Sequence, residues 1–147
     1  MAISALAGGL ALSTTAAQAA TVEVANGAEL AAAIVQANSD SSITRILCAT
    51  QYGCDVVGSL PTYSGDQNLT IDGRFSTVDA SAVDDADAFA SVGSGNLKLI
   101  RMTFVGGLSG VYVEVPSDRT GTIKVDFRKV TVRDSILHGA HVTDPNK

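Results

Sequence analysis

The sequence predicts an all-β solenoid, a stack of short coils, and three observations lead there. Leu69-Thr70-Ile71, Leu97-Lys98-Leu99 and Val125-Asp126-Phe127 each set two apolar residues around a polar one, the alternation of a half-buried strand. Successive triplets start at positions 69, 97 and 125, a constant interval, which implies coils stacked in register. The neighbours keep the same step: Asn68 and Asn96 precede the first two triplets, and Met102-Thr103-Phe104 is echoed by Val130-Thr131-Val132. A unit this short cannot bury its own apolar face, so stacking must supply the core. A β-sandwich would also use short strands, but it has no reason to hold three triplets in one register.

Composition agrees. The chain has 147 residues, 46% of them hydrophobic, which suits one domain with a continuous core. It has no Trp and 14 Gly, and its many Thr, Ser, Val and Asp favour short strands and tight turns over a helical bundle. A net charge of -5 argues against a nucleic-acid partner, which needs a clustered basic surface. The charge is uneven, however: up to residue 97 there are ten acids and two bases, and from Lys98 onward five acids and eight bases. Lys98, Arg101, Arg119, Lys124, Arg128, Lys129 and Arg133 make a candidate basic stripe for an acidic polymer, with Lys98, Arg101 and Lys129 its expected binding set.

Along the chain, residues 1–20 read as a signal peptide: an apolar run of small residues ending in Ala17-Gln18-Ala19, too short to anchor in a membrane. No Lys or Arg precedes Leu6, so Met1 is expected to be an internal residue that has lost a basic leader. Cleavage after Ala19 or Ala20 would leave residues 21–147 as an exported β-solenoid domain, secreted or in the cell envelope, with no membrane insertion after cleavage. Thr21 to Val24 is strand-like. Ala28 to Asn38 puts Leu30, Ala33, Ile34 and Ala37 on one helical face, with Asn26 as N-cap before Gly27. A short helix here would cap the open core and strand edges of the first coil.

Cys48 and Cys54 bracket a short segment containing Gly53, and in an exported chain they are expected to form a disulfide. Gly58 to Gly65 is a turn-rich connection. The acidic loop Asp79 to Asp87 offers carboxylates to calcium but lacks the ligand order of an EF-hand, so no cofactor is expected, with calcium at that loop the alternative. Ala88 to Val92 reads as a strand, Gly110 to Val115 opens another coil with its valines inward, and Gly139 to Val142 opens one more. The chain then stops without a second cap, so the solenoid is expected to be incomplete at its C-terminus.

With the coils superposed, the sequence resembles the right-handed parallel β-helix proteins of the pectin-lyase-like superfamily over roughly residues 22–144. Asn68 to Gly73 (NLTIDG), Asn96 to Leu99 (NLKL), Phe104 to Gly107 (FVGG), Ser109 to Val113 (SGVYV), the constant step and the capping helix carry the resemblance. It implies that Asn68 and Asn96 start an asparagine ladder in which side-chain amides bond up and down the stack. The superfamily spans lyases, hydrolases, adhesins and tailspikes, so fold alone assigns no activity. Asp84-Asp85 and His138-Gly139-Ala140-His141 match the hydrolase signatures poorly. The register sets Lys98 over Asp126 as a surface ion pair and leaves Asp126 with Arg101 or Lys129 as the conceivable lyase constellation. His138 and His141 are further acid-base candidates, and Arg133-Asp134 a turn pair. The expectation is a noncatalytic surface role, as adhesin, passenger domain or glycan-binding stalk, with polysaccharide or cell-surface glycan as partner. The alternatives are a lyase or hydrolase of acidic glycans with its catalytic coils beyond residue 147, and a small free-standing structural or inhibitory protein.

Overall fold

The computed structural model of the chain describes residues 18–118 and 122–144; the expected signal peptide lies, up to residue 17, outside them, and so does Arg119 of the basic stripe. Among the described residues nine strands and one helix follow in the order β1 Ala20–Val24, α1 Gly27–Ala37, β2 Ile43–Cys48, β3 Val56–Val57, β4 Leu69–Ala80, β5 Phe89–Ser91, β6 Leu97–Gly106, β7 Ser109–Glu114, β8 Val125–Arg133 and β9 His138–Thr143. The larger sheet runs β1-β2-β4-β6-β8, with β3 beside β4; the smaller runs β5-β7-β9. All these pairings are parallel. From β4 onward the chain leaves one sheet, crosses to the other and returns one rung higher, about 4.8 Å along the stack. This is a parallel β-helix.

The constant step of the triplets is the register of the middle rungs: Leu69 pairs with Leu97 and Leu97 with Val125, Ile71 with Leu99 and Leu99 with Phe127. Inward positions form apolar columns, with Ile71, Leu99, Val78 and Phe104 wholly buried. Across the core Phe89 stacks on Phe104 at 6.3 Å between ring centres. The step is not universal. Arg45 pairs with Thr70 across β2 and β4, a shorter interval, and Val111 with Ala140 across β7 and β9, a slightly longer one.

Each of the upper rungs of the large sheet bends at one corner. Arg101 in β6 and Lys129 in β8 take φ of 51° and 55° there, and β4 turns through Arg74 and Phe75 at 46° and 72°. The constant step would set Gly73, Arg101 and Lys129 in a single column. Instead Asp72 pairs with Ile100 and Ser76 with Met102, so the whole segment from Gly73 to Phe75 stands beneath the single Arg101.

The helix closes the lower end of the stack, as expected. Its residues Leu30, Ala33, Ile34 and Ala37 are buried, and it packs on β1 and β2. Asn26 caps it: its Oδ1 accepts from Glu29 N at 2.9 Å, while Glu29 Oε2 accepts from Ala25 N at 2.8 Å, a reciprocal arrangement close to a capping box. The other end is tied by Gln67, whose Nε2 donates to the Ala37 carbonyl at 2.6 Å.

The asparagine ladder is present with different chemistry from that expected. Asn68 Oδ1 accepts from Asn96 N at 3.0 Å, and Asn96 Oδ1 accepts from Lys124 N at 2.7 Å. Each side chain thus bonds the backbone of the next rung, not the next amide. The turns beneath stack tightly enough that a Cβ at Gly95 would strike the Gln67 carbonyl, and Ser94 Oγ donates to Asp66 Oδ1 at 2.7 Å.

Candidate binding face

Because side chains alternate along a strand, β2, β4, β6 and β8 present an outward column that runs Arg45, Thr70, Lys98, Asp126. Toward the corner a second column follows, Leu47, Asp72, Ile100, Arg128. At the strand starts this face opens into a cleft of about 290 Å³ lined by Asn68, Asn96, Leu97, Lys98, Lys124, Asp126 and Arg128. Asp126 Oδ2 lies 3.0 Å from Arg128 Nε and 3.8 Å from Lys98 Nζ, so the predicted ion pair forms. Three cations to one carboxylate leave the cleft with an excess of positive charge. The Asn68 and Asn96 ladder runs along the same cleft and holds successive rungs in register, which fixes the spacing of the charges.

The corner at the other end of the same face holds a second charge cluster. Asp72 lies near the outer surface yet is only 2% exposed, because arginines from the rungs below and above cover it. Arg101 grips it in a fork, Nε to Oδ1 at 2.9 Å and Nη2 to Oδ2 at 2.5 Å, and Arg45 Nη2 stands 3.5 Å from Oδ2. Burial pushes the Asp72 carboxyl up, but hydrogen bonds from Arg101 and Arg74 N and the charges of Arg101 and Arg45 outweigh it, so its pKa lies below the usual aspartate value. The same hydrogen bond raises Arg101 further.

The sequence-derived candidates divide accordingly. Lys98 lines the cleft; Arg101 is turned to Asp72, with its side chain a third exposed; Lys129 is exposed at the corner one rung higher. The structure pairs Asp126 with Lys98 and Arg128, and Arg101 with Asp72, so Asp126 and Arg101 are not brought together as a lyase pair. His138 and His141 do meet, with ring centres 4.3 Å apart, and Tyr112 packs edge-on to His141. Arg133 and Asp134 form an exposed pair at 2.8 Å. In the acidic loop, Asp79 Oδ1 accepts from Ser81 N and Asp87 Oδ1 from Ser109 N, while Asp84 and Asp85 are exposed. Among the described residues no group of three or more His, Cys, Asp or Glu side chains is arranged to hold a metal.

The predicted disulfide between Cys48 and Cys54 is formed. Sequence reasoning missed Asp72, Arg45 and the pairing of Arg101 with Asp72, as well as Tyr52 and Phe75 beside them. An aspartate at the surface of a strand is normally solvated, and its partners sit on the rungs before and after it, visible only once the uneven register is known. Comparison with protein-family models, characterised proteins and solved structures finds no match.

Proposed function

We propose that this is an exported, noncatalytic β-helix of the pectin-lyase-like type whose outer face holds an anionic polysaccharide. The observation that carries the reading is the cleft lined by Lys98, Lys124 and Arg128 and by the single carboxylate of Asp126, beside Asn68 and Asn96. Such a surface complements a chain of regularly spaced carboxylates or sulfates, and Lys98, Asp126 and Arg128 are set on strands, with Lys124 held by its N–H bond to Asn96 just before β8. Export is supported by the disulfide, a bond typical of oxidising compartments. No helix among the described residues is long and apolar enough to cross a membrane.

The test is calorimetric titration of a uronate hexasaccharide into the wild type and the double variant Lys98→Glu/Lys124→Glu. Loss of two favourable charges and gain of two repulsive ones should weaken binding by more than about tenfold. Wild-type affinity should also fall as salt rises from low to physiological ionic strength. Equal affinity in both proteins would remove the cleft from the function.

A further inference from the structure

Two large aromatic side chains stand on the surface of the corner beside Asp72, where packing does not require them. Tyr52 is 59% exposed and Phe75 39%, with ring centres 6.4 Å apart. Tyr52, Arg74 and Phe75 all lie in the left-handed backbone region, at φ of 58°, 46° and 72°. For residues other than glycine each such conformation costs on the order of 1–3 kcal/mol, and Tyr52, more exposed than buried, recovers little of it.

The surroundings nevertheless firmly hold the backbone that carries the rings. Tyr52 sits in the loop closed by the Cys48–Cys54 disulfide, and that loop is hydrogen-bonded to the corner of β4 at several points. Tyr52 N donates to the Arg74 carbonyl at 3.1 Å, Arg74 Nη1 to the Ala49 carbonyl at 2.5 Å, and Cys54 N to Ser76 Oγ at 3.0 Å. On the other side the Arg101 guanidinium stands 5.8 Å from the Phe75 ring centre while it grips Asp72. The backbone that carries the two rings is therefore fixed before any ligand arrives, which removes part of the entropy loss of binding.

We propose that Tyr52 and Phe75 form a stacking subsite for the apolar face of one pyranose ring, with the exposed edge of Arg101 directed at that sugar's carboxylate. This rests on the anionic-polysaccharide reading and extends it. The C–H groups on one face of a pyranose meet the electron-rich face of an aromatic ring, and exposed aromatic pairs with fixed geometry suit that contact. Arg101 follows Lys98 along β6 at a distance of about 10 Å, so one oligosaccharide can span both the charged cleft and the aromatic corner. Recognition would then have two parts: charge at the cleft, ring shape at the corner.

The experiment titrates two probes, a uronate hexasaccharide and its carboxyl-reduced neutral form, into wild type, Tyr52→Ala, Phe75→Ala, Tyr52→Phe and the Lys98→Glu/Lys124→Glu variant, with thermal unfolding as the check on folding. Tyr52→Ala and Phe75→Ala should weaken both probes about three- to tenfold, while Tyr52→Phe binds like the wild type. The cleft variant should lose most of its preference for the charged probe, keeping the part that Arg101 supplies, and should keep the weak binding of the neutral one. Ring resonances of Tyr52 should shift on binding while those of the buried Tyr63 do not, a readout that needs no substitution. Wild-type affinity in both alanine variants, or no Tyr52 shift, overturns the stacking subsite while leaving the cleft in place. A wild type that binds the two probes equally well through Tyr52 supports the subsite and removes the cleft; one that binds neither removes both.

Discussion

Leu99 and Phe127 occupy the same inward position on successive rungs, and their fates differ. Leu99 is wholly buried, whereas Phe127 is 38% exposed; on the opposite sheet Val113 is 1% exposed and Val142, its partner one rung up, 53%. Side-chain chemistry and alternation are alike at the paired positions. What differs is the neighbour above: Leu99 has β8 stacked on it, while β8 and β9 are the outermost strands of the two sheets among the described residues. In a solenoid, burial belongs to the stack more than to the residue. At the lower end α1 supplies the missing neighbour, and its Leu30 and Ile34 are fully enclosed.

The largest effect expected from this comparison is at Leu99. Leu99→Asp buries an unpaired carboxylate between two rungs and should abolish cooperative unfolding in urea. Phe127→Asp, at the same position but open to water, should cost only about 1 kcal/mol. Equal losses would break the idea that stacking decides burial.

Next comes the corner. Arg101→Ala leaves buried Asp72 with Arg45 at 3.5 Å and the Arg74 N hydrogen bond, and should clearly lower the urea midpoint, whereas Lys129→Ala, exposed one rung higher, should change stability by less than about 0.5 kcal/mol. Because the folded pKa of Asp72 lies below its unfolded value, its contribution is complete above the ordinary aspartate pKa and is lost as pH falls through the depressed one. Unfolding free energy measured against pH should therefore decline below about pH 4, and Asp72→Asn should flatten that decline.

The smallest effects distinguish ladder from ion pair. Asn96→Ala removes the acceptor for Lys124 N and should cost about 1 kcal/mol. Lys98→Ala, which breaks only a partly exposed pair with Asp126, should cost less than about 0.5 kcal/mol. A reversed order would mean that the surface charges, not the asparagines, hold the rungs in register.

Much of the fold was legible from periodicity. The three triplets lie on β4, β6 and β8 in the predicted register, the helix buries the predicted face, and the two cysteines are joined. Strand β2 was not legible, because its buried residues Ile43, Ile46 and Cys48 fall at unequal steps, with a register shift opposite Ala20 and Thr21. The cleft was half legible. Lys98, Lys124 and Arg128 were in the basic stripe, but nothing in their spacing separates them from Arg101, which neutralises Asp72 instead.

Local alternation, repeated at one interval, was enough to specify a stacked all-β chain with a helical cap, since both are properties of neighbours along the backbone. The partners of Asp72, the aromatic corner at Tyr52 and Phe75, and the exposure of Phe127 depend on contacts between rungs that lie far apart in sequence. The offset changes from rung to rung with the length of each turn. A sequence shows those lengths only after the strands have been paired in space.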